Sequence, residues 1–391
     1  MIIQKPPMGW NTWNTFGNKI NEQLIMESAD AMVDTGLLDA GYEYVVIDDM
    51  WSLKERDSEG RLVPDPEKFP HGMKYLADYI HSKGLKFGIY SCGGYLTCGG
   101  YPGSYGHEWT DARTFAEWGV DYLKYDFCYH PKSVAPDVVY KRMGLALAHC
   151  GRDILFSACS WGFDKTPMWI RETGAHCWRS TGDISDSWVS IKNIAMSQLN
   201  EQVYNAPGCF NDMDMLVVGM HGNGNVGLTG CTEEEYKLHF SFWSFLSSPL
   251  MIGCDIRNMT EETKRILLNK DIIAINQDTA GRQAFVLNLR KQDITDKNPE
   301  AYGYILDRYT MARYLENGDV AIAMFNFLDV DTYSAPLTIQ PDMLGLPEGF
   351  DRYEIQDLWT GEILKSFNGT ISPNGPCKAH GCQMFRLRIL P

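Results

Sequence analysis

Hydrophobic and polar positions follow two periods along the first 280 or so residues. Short apolar runs read as strands: "PMGWNTW" (7–13), "YEYVVIDD" (42–49), "LKFGIYS" (85–91), "DYLKYDF" (121–127), "ILFSACS" (154–160), "HCWRST" (176–181), "DMDMLVV" (212–218) and "PLMIGCDI" (249–256). Between or after them the apolar positions move to helical spacing, over 21–37 (Ile25, Ala29, Met32, Val33), 136–151, 188–201, 232–248 and 260–277. Thr232 followed by Glu235 predicts a capping box at one helix start. Eight strands each followed by a helix predict an α/β chain closed into a parallel (β/α)8 TIM barrel. An open doubly wound sheet is the competing architecture.

After "IIAINQDTAGRQA" (272–284) the helical period stops. Short alternating runs at 309–327, 352–363 and 382–390 are split by Gly, Pro, Asn and Asp. Glu316-Asn317-Gly318-Asp319 has the Asn-Gly centre of a hairpin turn. The expected organisation is a catalytic barrel over 1–283 and an antiparallel β-sandwich over 284–391.

One strand is unusual. In "GVDYLKYDFCYH" (119–130), Tyr122, Lys124 and Asp126 share one face, while Leu123, Tyr125 and Phe127 make the other face apolar. Charges inside a core strand are costly unless paired, so a site is indicated. Barrel active sites sit at the C-terminal ends of the strands. Polar and aromatic residues collect at those ends: Trp13, Asp48 and Asp49, Tyr90, Asp126, Ser160 and Trp161, Arg179 followed by Asp183, and Asp212 and Asp214 opening the seventh strand. A lone Asp there is ordinary turn chemistry. Lys124 with Asp126, and Arg179 four residues before Asp183, are not so easily explained.

Composition narrows the chemistry. The 391 residues carry a formal charge of −15 and no basic stripe, which argues against a nucleic-acid partner. No apolar run is long enough to span a membrane. The start, "MIIQKPPMGW", lacks a secretory apolar core, so a cytoplasmic location is expected. The eleven cysteines contain no CxxC pair, and neither Cys92 with Cys98 nor Cys377 with Cys382 has a zinc-type partner pair. No metal is expected, and most of the thiols read as reduced core residues. The Gly-rich "GMHGNGNVGLTG" (219–230) lacks the ending of a phosphate-binding P-loop and reads as a flexible loop at the mouth, against a phosphate-sugar enzyme. Clustered carboxylates and aromatics at a barrel mouth suit sugars: two carboxyl groups cleave the glycosidic bond, rings cover apolar sugar faces, and charged groups bind hydroxyls. The residues alone therefore read as a glycoside hydrolase acting on a small carbohydrate. An inert carbohydrate-binding barrel is the remote alternative.

The ordered motifs "MGWNTW", "VVIDDMW", "GIYS", "CGGYPGSYGHE", "LKYDFC", "WRSTGDISDSW", "NDMDML", "SPLMIGCDI" and "AINQD", from residue 8 to 278, resemble glycoside hydrolase family 27, the α-galactosidases and α-N-acetylgalactosaminidases. The resemblance implies a retaining mechanism with two aspartates and no cofactor. It makes Asp126 the nucleophile and Asp183 the acid/base. Asp48 and Asp49 hold distal hydroxyls, and Lys124 and Arg179 are cationic ligands. Trp13, Tyr90 and Cys98 line the pocket, and Asp214 and Met215 close it. Asp186 and the negative net charge are expected to help Asp183 keep its proton. Cys98 with Cys128, and Cys159 with Cys177, match positions paired in exported relatives, and the sequence leaves open whether either pair is bonded or reduced here.

Five positions depart from the family pattern. Met50 stands where Cys is frequent, and Phe210 and Met213 stand where Trp and Pro are common. Ser160 replaces the Glu that touches the sugar's 2-position, while Phe163 replaces the small residue that accompanies Ser in the N-acetylgalactosaminidases. The expected activity is exo-α-galactosidase, with α-N-acetylgalactosaminidase as the alternative. Oligomeric state is not legible.

Overall fold

The computed structural model describes residues 3–199, 201–287, 308–331, 337–338, 341–346, 352–364, 370–371 and 375–390. Eight short parallel strands form the first sheet: β1 (Met8–Asn11), β2 (Tyr44–Val46), β3 (Lys86–Cys92), β4 (Tyr122–Asp126), β5 (Leu155–Ala158), β6 (Cys177–Arg179), β7 (Phe210–Asp212) and β8 (Leu250–Ile252). They pair in chain order, and β8 returns to lie beside β1. The ring closes through Leu216, which follows β7, bridges Ile252 in parallel and exchanges backbone hydrogen bonds with Met251 and Gly253.

Alternation sorts the side chains as expected of a barrel. Tyr44, Val46, Tyr122, Leu155, Cys177, Met215 and Met251 form a buried cluster of their own. The residues two or four positions further along β2, β4, β5 and β6 continue these inward rows toward the mouth: Asp48, Lys124 and Asp126, Cys159, and Arg179. The outward rows, such as Leu123, Tyr125 and Phe127, join the large core beneath the helices.

The helices are α1 (Glu22–Asp34), α2 (Gly72–Ser82), α3 (Glu108–Trp118), α4 (Pro136–Ala148), α5 (Trp188–Ser197), α6 (Glu233–Phe245), α7 (Glu261–Leu267) and α8 (Lys270–Asn276). The capping box forms at α6: Thr232 accepts from the Glu235 amide, and the Glu235 carboxylate accepts from the Thr232 amide. Three expectations need correction. No α-helix follows β5; two 3-10 turns, Thr166–Met168 and Ile170–Thr173, fill that place, in a stretch holding Pro167 and ended by Gly174. The span 260–277 is two helices, because Asn269 caps a new one. The seventh strand pairs at 210–212, not across 212–218: Asp214 has φ of +80°, which a strand cannot hold. Among the described residues no helix is long and apolar enough to cross a membrane.

The C-terminal part is a six-stranded antiparallel sheet. It contains β9 (Phe285–Val286), β10 (Arg308–Tyr314), β11 (Val320–Asn326), β12 (Tyr353–Asp357), β13 (Ile363–Leu364) and β14 (Cys382–Ile389), in the order β9-β10-β11-β14-β12-β13, with a separate two-stranded sheet. The Asn317-Gly318 turn joins β10 to β11 as expected, with Gly318 at φ +87°. Helix α6 is the shared wall, with Phe242 against Phe325 and Phe327.

Candidate active site

The strand ends surround a cleft lined by Trp13, Asp48, Asp49, Tyr90, Cys98, Lys124, Asp126, Arg179, Asp183, Asp214 and Met215, with Asn14, Cys159, Ile184 and Val226 between them. Eleven of the thirteen site residues expected from sequence thus share one pocket. Ser160 and Trp161 do not line it. Ser160 is fully buried and its hydroxyl bonds Thr166 Oγ1 at 2.7 Å. Trp161 turns away at φ +54°. Cys159 takes the inward position instead. The inward row Leu155, Ser157, Cys159 carried that information, since only every second residue can face the lumen. Ile184 and Val226 belong to loops and Asn14 to the single helical turn Trp13–Phe16, and none of the three left a periodic signal.

Lys124 does not pair with its strand neighbour. Its Nζ donates to Asp48 Oδ2 at 2.8 Å, and Asn11 Nδ2 donates to the same oxygen at 2.8 Å. Burial works against the Lys124 ammonium, but the charges of Asp48 and, further down, Asp126 outweigh it, and its pKa is raised. Asp49 accepts from the amides of Met50 (2.7 Å) and Gly99 (2.7 Å), which fasten the loop after β3 to the end of β2.

Asp126 is buried at the end of β4. Its Oδ1 accepts from the Phe127 amide at 2.9 Å and its Oδ2 from the Tyr90 hydroxyl at 3.0 Å. Burial pushes its pKa up to about 6, against the pull of Lys124 and these hydrogen bonds. Cys98 Sγ lies 3.2 Å from the same Oδ2. Cys98 is joined to Cys128 in a disulfide, with Cα atoms 5.1 Å apart, whereas Cys159 and Cys177 are free thiols, so the two pairs that the sequence leaves open differ. Among the described residues the grouping with metal-ligand atoms is Cys98, Asp126 and Cys128, and its two sulfurs are already bonded to each other.

Arg179 faces two carboxylates. Its Nη2 lies 2.8 Å from Asp183 Oδ1 and 2.9 Å from Asp214 Oδ2, and its buried Nε has no hydrogen-bond partner among the described residues. Asp214 is held from behind by the amides of Ile184 (2.7 Å) and Met215 (2.8 Å), and burial raises its pKa. The Asp183 side chain is 77% exposed. Partial burial pushes its pKa up, but the Arg179 guanidinium prevails and holds it below the usual carboxylate value. The expectation that Asp186 would help Asp183 keep its proton is not met: Asp186 is buried, and its carboxylate accepts from the Tyr236 hydroxyl and the Gly222 amide.

The Gly-rich loop stands at the mouth. Its Asn225 and Val226 amides donate to the carbonyls of Thr15 and Asn14, and Val226 reaches the cleft. Gly224, at φ +87°, is needed there because a Cβ would sit 2.7 Å from Thr15 Cα.

This geometry provides two carboxylates with opposed environments, one buried and one exposed, beside charged hydrogen-bonding groups and two aromatic rings. It suits recognition of a single sugar with acid-assisted cleavage. Residues 5–278 match the family model described as α-galactosidase A, and residues 308–387 the model of the α-galactosidase C-terminal β-sandwich domain. The chain is 44% identical over 387 residues to α-galactosidase 3 of Arabidopsis thaliana, covering 99% of this chain and 82% of that protein. α-Galactosidase I from Mortierella vinacea superposes with a TM-score of 0.85 at 35% identity, covering 98% of this chain and 97% of that one. An α-galactosidase from Saccharomyces cerevisiae, solved with raffinose, gives 0.83 at 31%, covering 99% and 98%.

Proposed function

This chain belongs to the α-galactosidase (melibiase) family, and on that basis we propose that its cleft removes terminal α-linked galactose from oligosaccharides or glycoconjugates by double displacement. The observation that carries the reading is the convergence of Asp48, Asp49, Lys124, Asp126, Arg179, Asp183 and Asp214 on one cleft beside Trp13 and Tyr90. Asp126 attacks the anomeric carbon from the face opposite the leaving group. As that bond forms, the bond to the leaving-group oxygen breaks and the oxygen takes the proton of Asp183. The resulting β-galactosyl ester of Asp126 is then attacked by a water that gives its proton to Asp183, and α-galactose leaves.

Individual contacts favour these roles, against the net bias that burial gives Asp126 and Arg179 gives Asp183 in the free protein. Tyr90, the Phe127 amide and the Lys124 charge all favour the ionised form of Asp126. Arg179 is shared by Asp183 and Asp214, so a sugar hydroxyl that engages the guanidinium weakens its hold on Asp183 and lets it carry a proton. Lys124 and Asp48, already bonded to each other, offer their remaining donors and acceptors to the distal hydroxyls.

Galactose is favoured over N-acetylgalactosamine because Ser160 is enclosed by its bond to Thr166, and Cys159 and Arg179 occupy the wall in front of it. The test is a panel of nitrophenyl α-galactoside, α-N-acetylgalactosaminide and α-glucoside, with β-L-arabinopyranoside alongside. The highest kcat/KM is expected on the α-galactoside. Higher turnover of any other member would overturn the choice of sugar.

A further inference from the structure

The loop that bears Asp183 runs directly into the contact between barrel and sandwich. Residues 183–187 lead to Trp188, the first residue of α5, with Ser187 as the cap that accepts from the Ser190 amide. The Trp188 ring stacks on His380, with centroids 4.1 Å apart and planes 20° off parallel, and on Phe327, at 5.7 Å and 22°. Both partners belong to the sandwich.

His380 is itself fixed on both sides. Its Nδ1 lies 2.7 Å from Glu235 Oε1, and its Nε2 lies 2.7 Å from Asp329 Oδ1. Each ring nitrogen thus faces a carboxylate oxygen. Glu235 is the capping-box residue of α6, so the imidazole is tied to the barrel's own helix start. The backbone of His380 is left-handed, at φ +52°, a conformation a non-glycine residue holds only where its surroundings require it.

Asp183, by contrast, has one side-chain partner among the described residues, Arg179, and is mostly exposed. Its place over the cleft is therefore set by the loop. We propose that Trp188 and His380 are positioning residues: the sandwich grips the start of α5 and so holds the loop that brings Asp183 to the leaving-group oxygen. The proposal rests on Asp183 being the acid. Neither Trp188 nor His380 lines the cleft.

Acid assistance matters only when the leaving group departs poorly. A dinitrophenolate needs no proton, whereas a phenolate or a sugar alkoxide does. The experiment compares kcat/KM on dinitrophenyl α-galactoside, phenyl α-galactoside and raffinose, in the full chain, for Trp188→Ala, Trp188→Phe, His380→Ala and His380→Gln. The ratio between substrates within one preparation does not depend on how much of the protein is folded. Trp188→Ala and His380→Ala are expected to lose roughly tenfold or more on phenyl galactoside and raffinose while staying within about twofold on the dinitrophenyl substrate. Trp188→Phe, which keeps a stacked ring, should hold the wild-type ratio. Equal losses on all three substrates, or no loss on any, would overturn the proposal. Asp183→Ala serves as the reference. If its losses do not depend on the leaving group, the assignment of the acid fails, and the proposal with it. If they do while those of Trp188→Ala do not, only the proposal fails.

Discussion

Lys124 and Asp48 meet at 2.8 Å across the mouth of the barrel, joining β4 to the end of β2 past β3. Lys124 thus forms its ion pair with Asp48 and not with its strand neighbour Asp126. The Asp48 side chain is only 3% exposed, so removing the ammonium leaves a buried charge with Asn11 as its remaining side-chain donor. Breaking such a pair from one side is worth up to about 3–5 kcal/mol. Lys124→Met is expected to lower the Tm sharply and to abolish galactoside turnover. Lys124→Met combined with Asp48→Asn should recover most of the stability and none of the activity. Thermal unfolding of the two variants checks this; equal Tm values would show that the pair is not what holds Asp48.

The two proposed catalytic carboxyls are biased against their roles in the free protein. Double displacement needs Asp126 ionised and Asp183 protonated, yet burial raises Asp126 to about 6 and Arg179 holds Asp183 low. Below the lower pKa both hold protons, and above the higher one neither does. The competent form has its constant maximum between them. The kcat/KM profile should therefore be flat at acidic pH and fall above about 6, where Asp126 releases its proton. Tyr90→Phe removes a hydrogen bond that favours ionised Asp126, so its pKa rises and the alkaline limb moves to higher pH. A limb that stays, or moves to lower pH, contradicts this assignment.

Ser160 tests what sets the sugar preference. Its hydroxyl is spent on Thr166, inside the protein. Ser160→Ala is expected to cost about 1 kcal/mol of stability for the lost buried hydrogen bond and to leave the galactose preference unchanged. A swing toward N-acetylgalactosamine in the nitrophenyl panel would show that Ser160 reaches the 2-substituent after all.

Much of this was legible in the chain because a barrel strand has a strict period of two. Tyr122, Lys124 and Asp126 alternate inward, and so do Tyr44, Val46 and Asp48, which brings most of the candidate residues to one mouth. The same rule applied to Leu155 would have selected Cys159; motif position pointed to Ser160 instead. The strand after Phe210 was misplaced because the left-handed backbone of Asp214 follows from tertiary contacts, its carbonyl accepting from Trp243 Nε1 and its carboxylate meeting Arg179. The missing helix after β5 had a warning in Pro167 and Gly174. Contacts such as Trp188 with His380 join residues nearly two hundred positions apart, and no local pattern encodes them.

Stereochemistry gives an independent check. A covalent intermediate implies that the first sugar released has the configuration of the substrate. Proton NMR of a fresh digest should show α-galactose before mutarotation sets in. β-Galactose appearing first would mean direct displacement by water.

The most direct test is to trap the intermediate on Asp126. A fluorinated galactosyl fluoride, which forms the ester readily and hydrolyses it slowly, should inactivate the protein with the mass gain of one fluorogalactosyl group. Peptide mapping should place that group on Asp126. A label on Asp183 or any other residue, or turnover with no adduct in wild type, would contradict the two-aspartate mechanism at this site.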